Sequence, residues 1–276
     1  MNKYSFVKMN GAGNDFIAFD RDENPGLTLS AGLIQKLCDR YFGIGGDGVI
    51  TIARTDGADF SMEYFNADGS TGSLCGNGAR CAIRFAELKG TVAARQVKFI
   101  CLNEIYEGEI VDGETVKFYL KNPSRLQLNF QLYFDGKNVT ASFINTGSPH
   151  VVINIAEFGA GTDLASFDVA GIGRKLRYHE MFAPGGTNVN FFTVENSIVH
   201  LRTYERGVEA ETLACGTGAT AAAIIAHSIA GVSSPVTIIP TSGKKLSVDF
   251  IVKDNAITHV SLTGPAEINF TGEIEN

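Results

Sequence analysis

The chain has 276 residues, 44% of them hydrophobic and 19% charged, which excludes a disordered chain. Its net charge is −7, from 23 basic against 30 acidic residues, and no Lys/Arg cluster supplies the basic face that a nucleic-acid partner needs. Glycine is abundant, with 31 against only 7 prolines, and the five cysteines are an odd number without a CxxC pair.

The opening residues, 1–10, lack the apolar core of a secretory signal. The longest nearly apolar run, Ala219–Val232, is interrupted by Thr220, His227 and Ser228 and is too short to span a bilayer. A cytoplasmic chain with reduced thiols and no membrane partner is expected.

Period-2 patterns predict strands at Tyr4–Lys8 and Phe16–Phe19. A helix follows over Ser30–Tyr41, with Ser30 as its N-cap and Leu33, Ile34, Leu37 and Tyr41 on one face. Strands Val49–Ala53 and Phe60–Phe65 lead to a second helix, Asn77–Leu88, and then to strands Val97–Leu102, Glu104–Val111 and Val116–Leu120. Beyond Asn122-Pro123-Ser124 come strands Gln131–Phe134, Val139–Ile144 and Val151–Ile155, a helix over Asp168–Tyr178, and strands Val189–Thr193 and Val199–Tyr204. A fourth helix, Gly216–Ala230, is apolar on nearly every side and so is expected to be buried. Strands Val236–Ile239, Leu246–Val252 and Ala256–Leu262 complete the series. Asp112-Gly113 and Asp135-Gly136 are hairpin dipeptides. Many strands with hairpin turns and few helices imply an α+β fold with mostly antiparallel sheets.

An internal repeat is the most informative feature. The segment Leu74-Cys75-Gly76-Asn77-Gly78-Ala79 matches Ala214-Cys215-Gly216-Thr217-Gly218-Ala219, each opening a helix. Upstream of each cysteine lies a glycine cluster, Gly43-Ile44-Gly45-Gly46 and Gly185-Gly186, preceded by Gly11-Ala12-Gly13-Asn14 and Thr146-Gly147-Ser148-Pro149. Three landmarks in the same order imply two similar halves, each built around one helix.

A thiol directly before a Gly-x-Gly that opens a helix sits beside free amides and the positive end of the helix dipole, which favour thiolate. The same amides can hold a carboxylate, and the glycines let it approach. A lone cysteine is usually a small buried hydrophobe, but core packing does not demand cysteine at two equivalent positions. Two such half-sites facing each other across a pseudo-twofold axis suit removal of a proton from one face of a tetrahedral carbon and its return to the other. No lysine signature for pyridoxal phosphate and no metal-ligand cluster accompanies them, so no cofactor is expected. Stabilisation of the carbanion falls to the helix amides and to exclusion of water.

These residues resemble the diaminopimelate epimerase family, and the resemblance runs over nearly the whole chain. It is carried by Lys8–Phe16, Asp39–Asp47, Phe65–Ser70, Leu74–Cys81, Thr146–His150, Asn188-Val189, Tyr204–Gly207, Glu211–Gly218 and Gly264-Pro265-Ala266. It implies two similar domains related by a pseudo-twofold axis, each a mostly antiparallel β-barrel-like sheet around a central α-helix, with substrate in the cleft between them. By the same resemblance the domains are 1–121 plus 264–276 and 122–263. The implied reaction is epimerisation of LL-2,6-diaminopimelate to the meso form, in lysine and peptidoglycan precursor synthesis, without a cofactor. Cys75 and Cys215 are the implied catalytic thiols. Asn14, Asn66, Asn188, Glu205 and Arg206 are implied substrate contacts, and Gly76, Asn77, Gly216 and Thr217 the amide cradle for the carboxylate at the reacting carbon. The implied partner is a small-molecule substrate, not nucleic acid or a membrane; a homodimer is left open.

The chain departs from the commonest family pattern at Ser148, where many members have Asn, at Gly48, where many have Gln, and in the loop Glu205–Thr212, one residue longer. Gly43-x-Gly45-x-x-Gly48 matches a dinucleotide fingerprint formally, but a helix precedes it and a strand follows, the wrong context. The histidines, at 150, 179, 200, 227 and 259, lack metal-ligand spacing; His150 alone could orient substrate or a thiol, or else merely satisfy a turn. Asp47 and Asp68, beside glycine, read as turn formers, and Cys38, Cys81 and Cys101 as packing. Two other readings stay open: a racemase of the proline type acting on a cyclic amino acid, and a non-catalytic thiol–disulfide sensor using Cys75 and Cys215.

Overall fold

The computed structural model describes residues 3–72, 74–254 and 256–275. The chain divides into two compact units, residues 1–119 with 263–276, and residues 120–262. The first contains β1 (Lys3–Gly11), β2 (Asn14–Asp20), α1 (Ala31–Cys38), β3 (Gly48–Ala53), β4 (Phe60–Asn66), α2 (Gly76–Leu88), β5 (Gln96–Cys101), β6 (Glu104–Ile110) and β7 (Thr115–Tyr119). The second contains β8 (Ser124–Phe134), β9 (Lys137–Asn145), β10 (Pro149–Asn154), α3 (Val169–Arg177), β11 (Asn188–Glu195), β12 (Ile198–Glu205), β13 (Ala210–Thr212), α4 (Gly216–Ala230), β14 (Val236–Pro240) and β15 (Leu246–Lys253). Strand β16 (Ala256–Pro265) starts in the second unit, and the chain returns to the first with β17 (Glu267–Glu275).

The two units use one pairing scheme. In the first, β1–β2 is antiparallel, β2–β3 parallel, β3–β4 antiparallel, β4–β5 parallel and β5–β6 antiparallel. In the second, β9–β10, β10–β11, β11–β12, β12–β14 and β14–β15 follow the same alternation. The flanking antiparallel partner is β17 on β1 and β8 on β9. Every parallel pair is joined through a helix, because parallel neighbours need a crossover that a hairpin cannot make. The sheets are therefore more mixed than the hairpin dipeptides alone suggested, within the expected α+β class.

Both faces of each sheet are covered. In the first unit Ile17, Phe19 and Val49 pack with Ile34, Leu37 and Cys38 of α1. Strand alternation sends Phe16 and Ile50 the other way, toward α2, where Ile50 meets Gly78. In the second unit Val151, Ile153, Val189 and Phe191 pack with Val169 and Leu176 of α3. Helix α4 is buried from Ala219 to Ala226, and each of its enclosed isoleucines, Ile224 and Ile225, contributes roughly 2 kcal/mol. Among the described residues no helix is long and apolar enough to cross a membrane.

Helix α1 has the expected cap, with Leu33 N donating to Ser30 Oγ at 3.2 Å, but it stops at Cys38 instead of Tyr41. Asp39 Oδ1 accepts from Tyr41 N and Phe42 N, both at 2.7 Å, and this side-chain turn replaces the next helical bonds. Tyr41, expected on the apolar face, is 92% exposed.

Candidate active site

Cys75 and Cys215 are the N-caps of α2 and α4, both in extended backbone, and neither side chain makes a capping hydrogen bond. The sulfur atoms are thus not used to close the helix ends. The first amides of a helix have no intrahelical acceptor, so each sulfur lies beside outward-directed N–H groups and the positive end of the dipole. The glycines of the motif are needed for this closeness: a Cβ on Gly218 would lie 2.6 Å from Asn190 Oδ1 and 3.4 Å from Cys215 Sγ. None of the five cysteines is in a disulfide. Burial pushes Cys38 and Cys101 up to about 11 and Cys81 up to about 12, so these three stay protonated and inert at neutral pH, as packing residues should.

In the second unit a chain of polar groups leads to Cys215. Asn190 Nδ2 donates to Val151 O at 3.0 Å and also lies 3.1 Å from His150 Nδ1, while Asn190 Oδ1 accepts from Thr203 Oγ1 at 3.0 Å. With both ends of this amide occupied, His150 Nδ1 must accept, and the ring proton sits on Nε2. Nε2 is 3.0 Å from Thr217 Oγ1 and 2.9 Å from Ser148 Oγ. Thr217 Oγ1 in turn lies 3.5 Å from Cys215 Sγ. Thr217 Oγ1 also lies 3.3 Å from Ser148 Oγ; when it accepts from His150 it can donate to the sulfur, and a donor there favours the thiolate. His150 is fully enclosed, and burial, with a smaller push from Arg206, lowers it to about 3, so the ring is neutral.

The first unit reaches Cys75 differently. Asn14 Nδ2 donates to Asp47 Oδ2 at 2.6 Å, which turns Asn14 Oδ1 toward Cys75 Sγ at 3.5 Å and Asn77 Nδ2 at 3.4 Å. An acceptor facing the sulfur favours the protonated thiol. Asp47 is held by Arg40, which also forms a two-pronged pair with Asp15 at 3.0 and 2.7 Å; the buried Lys8 lies 2.7 Å from Asp15. Burial pushes Asp15 up, but the hydrogen bonds and charges of Arg40 and Lys8 outweigh it and hold the carboxyl at about 2. Asp47, expected to form a turn, thus sets the orientation of Asn14. Asp68 is the turn former it was expected to be, accepting from Ser70 N at 2.8 Å.

The remaining candidates occupy the ends of the same strands. Asn66, the last residue of β4, pairs with Gly48, the first of β3; its Nδ2 donates to Ser70 Oγ at 3.0 Å. None of its hydrogen bonds among the described residues runs to Asn14, Cys75 or Asn77. No side chain fits at Gly48, where a Cβ would lie 2.4 Å from Phe65 O and 2.7 Å from the Tyr64 ring. Asn188, opening β11, donates to Pro149 O at 2.9 Å and Ser148 Oγ at 3.2 Å and accepts from Arg206 N at 2.8 Å. Ser148 therefore joins the cluster despite its short side chain. At the end of β12, Glu205 accepts from Thr212 Oγ1 at 3.0 Å. The neighbouring acids are committed elsewhere: Glu209 to Arg177 and Glu211 to Arg202 through two bonds of 2.7 and 2.6 Å. Among the described residues, by contrast, the Arg206 guanidinium meets no carboxylate. Sequence reasoning missed Asn190 and Thr203, which sit inside expected strands and carry no motif signal of their own.

A sequence model described as Diaminopimelate epimerase matches residues 6–126 and 142–269. The chain is 41% identical over 282 residues to the diaminopimelate epimerase of Aquifex aeolicus, covering 98% of this chain and 97% of the relative. It is 38% identical over 264 residues to that of Flavobacterium psychrophilum, covering 95% and 97%. Among solved structures it resembles a PhzF-family phenazine biosynthesis protein of Bacillus anthracis, with TM-score 0.73 and 14% identity over all of both chains. A probable proline racemase of Agrobacterium radiobacter has the same TM-score and identity, covering 99% of this chain and 93% of that one. At such identities these two structures speak to the fold alone.

Proposed function

The chain belongs to the diaminopimelate epimerase family, and we propose that it interconverts LL- and meso-2,6-diaminopimelate with Cys75 and Cys215 as the paired acid and base. The observation that carries this reading is the repeated helix cap, in which a cysteine precedes Gly-x-Gly and its sulfur takes no part in capping.

In each turnover one thiolate removes the Cα proton and becomes a thiol. The electron pair passes into the adjacent carboxylate, and the other thiol gives its proton to the opposite face and becomes a thiolate. Proton count and charge balance, and the configuration inverts. The amides of Gly76, Asn77, Gly216 and Thr217 hold the carboxylate as charge builds on it, where pre-aimed donors act most strongly. Arg206 pairs with the distal carboxylate, and Asn14, Asn66, Asn188 and Glu205 orient the rest of the substrate, including the distal amine. The unpaired Arg206 guanidinium beside Glu205 supports a substrate with a distal carboxylate and amine over a cyclic amino acid.

On this reading domains 1–121 plus 264–276 and 122–263 each supply one thiol, and the cleft between them holds the substrate. The enzyme works in the cytoplasm without a cofactor, alone or as a homodimer. Incubation with LL-diaminopimelate in D2O under reducing conditions tests it. Deuterium at Cα together with meso product is expected; an unexchanged, unchanged substrate would refute the reading, and activity lost only on reduction would favour a thiol–disulfide sensor.

A further inference from the structure

Cys75 and Cys215 occupy equivalent helix caps, yet the fifth residue beyond each differs, Arg80 in α2 and Thr220 in α4. Both side chains turn back to the same kind of acceptor. Thr220 Oγ1 donates to Gly216 O at 3.0 Å, and Arg80 Nη1 donates to Gly76 O at 3.3 Å. A sealed donor for the first-turn carbonyl is thus met by a neutral hydroxyl in one helix and by a full positive charge in the other. Arg80 is 0% exposed. Its remaining bonds run from Nη2 to Asn77 Oδ1 at 3.0 Å and from Nε to Pro265 O at 3.3 Å. All three acceptors are uncharged, and among the described residues no carboxylate pairs with the guanidinium. An unpaired buried charge is costly, and the packing that Thr220 satisfies does not require one.

Burial disfavours the charge on Arg80, and the thiols of Cys81 and Cys75 act in the opposite direction; Glu267 acts on Cys81. Cys81 is fully enclosed and pushed up to about 12, so it stays neutral. Cys75 is half-buried at the helix cap and is the remaining group able to become the anion. The coupling is mutual: a thiolate that favours the charged guanidinium is favoured by it to the same degree.

We propose that Arg80 is a positioning residue for the reaction, whose sealed positive charge stabilises the Cys75 thiolate and makes the two equivalent thiols unequal. This rests on the reading of Cys75 as an acid–base group. Arginine suits the task because it keeps its charge where a buried lysine would shed a proton. Asn14 Oδ1, 3.5 Å from the sulfur, acts against it, so the proton affinity of Cys75 is a balance between an amide acceptor and a guanidinium.

The test is the pH dependence of iodoacetamide alkylation at Cys75, followed by mass spectrometry, with Cys215 in the same chain as internal control. It needs no substrate and is independent of whether the chain epimerises anything. Arg80→Gln keeps hydrogen-bonding capacity without charge. We expect it to slow Cys75 alkylation near neutral pH about tenfold or more, the effect of moving its midpoint up by a unit, and to leave Cys215 unchanged. A folded Arg80→Gln protein with an unshifted Cys75 midpoint would overturn the proposal. If Arg80→Gln does not fold, as an altered Cys215 profile would reveal, the unaltered chain decides: a Cys75 midpoint below the roughly 8.5 of a free thiol supports the role of charge, and one at or above it refutes it.

Discussion

His150 Nε2 lies 3.0 Å from Thr217 Oγ1 and 2.9 Å from Ser148 Oγ, and because Asn190 donates to the other ring nitrogen, Nε2 carries the proton; Thr217 Oγ1, 3.5 Å from Cys215 Sγ, can then donate to that sulfur. Removing that last donor should disfavour the thiolate. Thr217→Val is expected to lower kcat by about tenfold to a hundredfold, the worth of one hydrogen bond to a charged group. Thr217→Ser should restore most of it. The distinguishing readout is the alkylation midpoint of Cys215, which should rise in Thr217→Val while that of Cys75 holds; an unmoved Cys215 midpoint would show that the hydroxyl only fills space.

The same histidine leaves a mark on stability. Its native value is lowered from 6.5 to about 3, so below pH 6.5 the unfolded chain takes up a proton that the native chain refuses. Stability should therefore fall as pH drops, by about 1.4 kcal/mol per unit, until the native ring titrates near 3. Asp15, lowered from 3.8 to about 2, gives a slope of the same sign only in the lower window between those values. Urea unfolding at pH 7 and pH 5 should thus show a loss of about 2 kcal/mol in the unaltered chain, largely absent in His150→Asn. An equal loss in both would show that His150 is not the group refusing the proton.

Asp47 holds Asn14 through a 2.6 Å bond, and Asn14 faces Cys75. Asp47→Ala frees that amide to rotate. A fall in kcat of roughly tenfold is expected, from misorientation of the group beside the thiol, with little change in the Cys215 alkylation rate. Unaltered kinetics would show that Asn14 is held by its backbone alone.

Arg206 is the proposed specificity contact. Arg206→Met should lower kcat/KM for diaminopimelate by about a hundredfold, since a bidentate charged contact is worth roughly 3 kcal/mol. Arg206→Lys should rescue it only in part, because an ammonium cannot reproduce the planar fork. Steady-state kinetics decide the point: a variant that still discriminates diaminopimelate from a cyclic amino acid would place the distal carboxylate elsewhere.

What the sequence disclosed depended on how local each signal was. The two Cys-Gly-x-Gly caps, the Ser30 N-cap and the buried α4 helix are written within a few residues and were readable there. Strand β17 was not, because its side chains are largely exposed and its pairing with β1 joins opposite ends of the chain. The end of α1 was misread because Asp39 substitutes side-chain for backbone acceptors. In the site, the thiols and the residues beside them followed from the repeat, whereas Asp47 and Asn190 hold partners distant in sequence. Composition shows that such residues are present, but only three dimensions show what each holds.

In the proposed reaction one cysteine removes the Cα proton and the other delivers a proton to the opposite face. Its most direct test compares Cys75→Ala and Cys215→Ala with the unaltered chain, measuring conversion of LL- to meso-diaminopimelate in D2O. Each substitution should lower epimerisation by about a hundredfold or more, the scale of a lost acid or base, in a protein that still folds. Near-normal epimerisation by either variant would contradict the account.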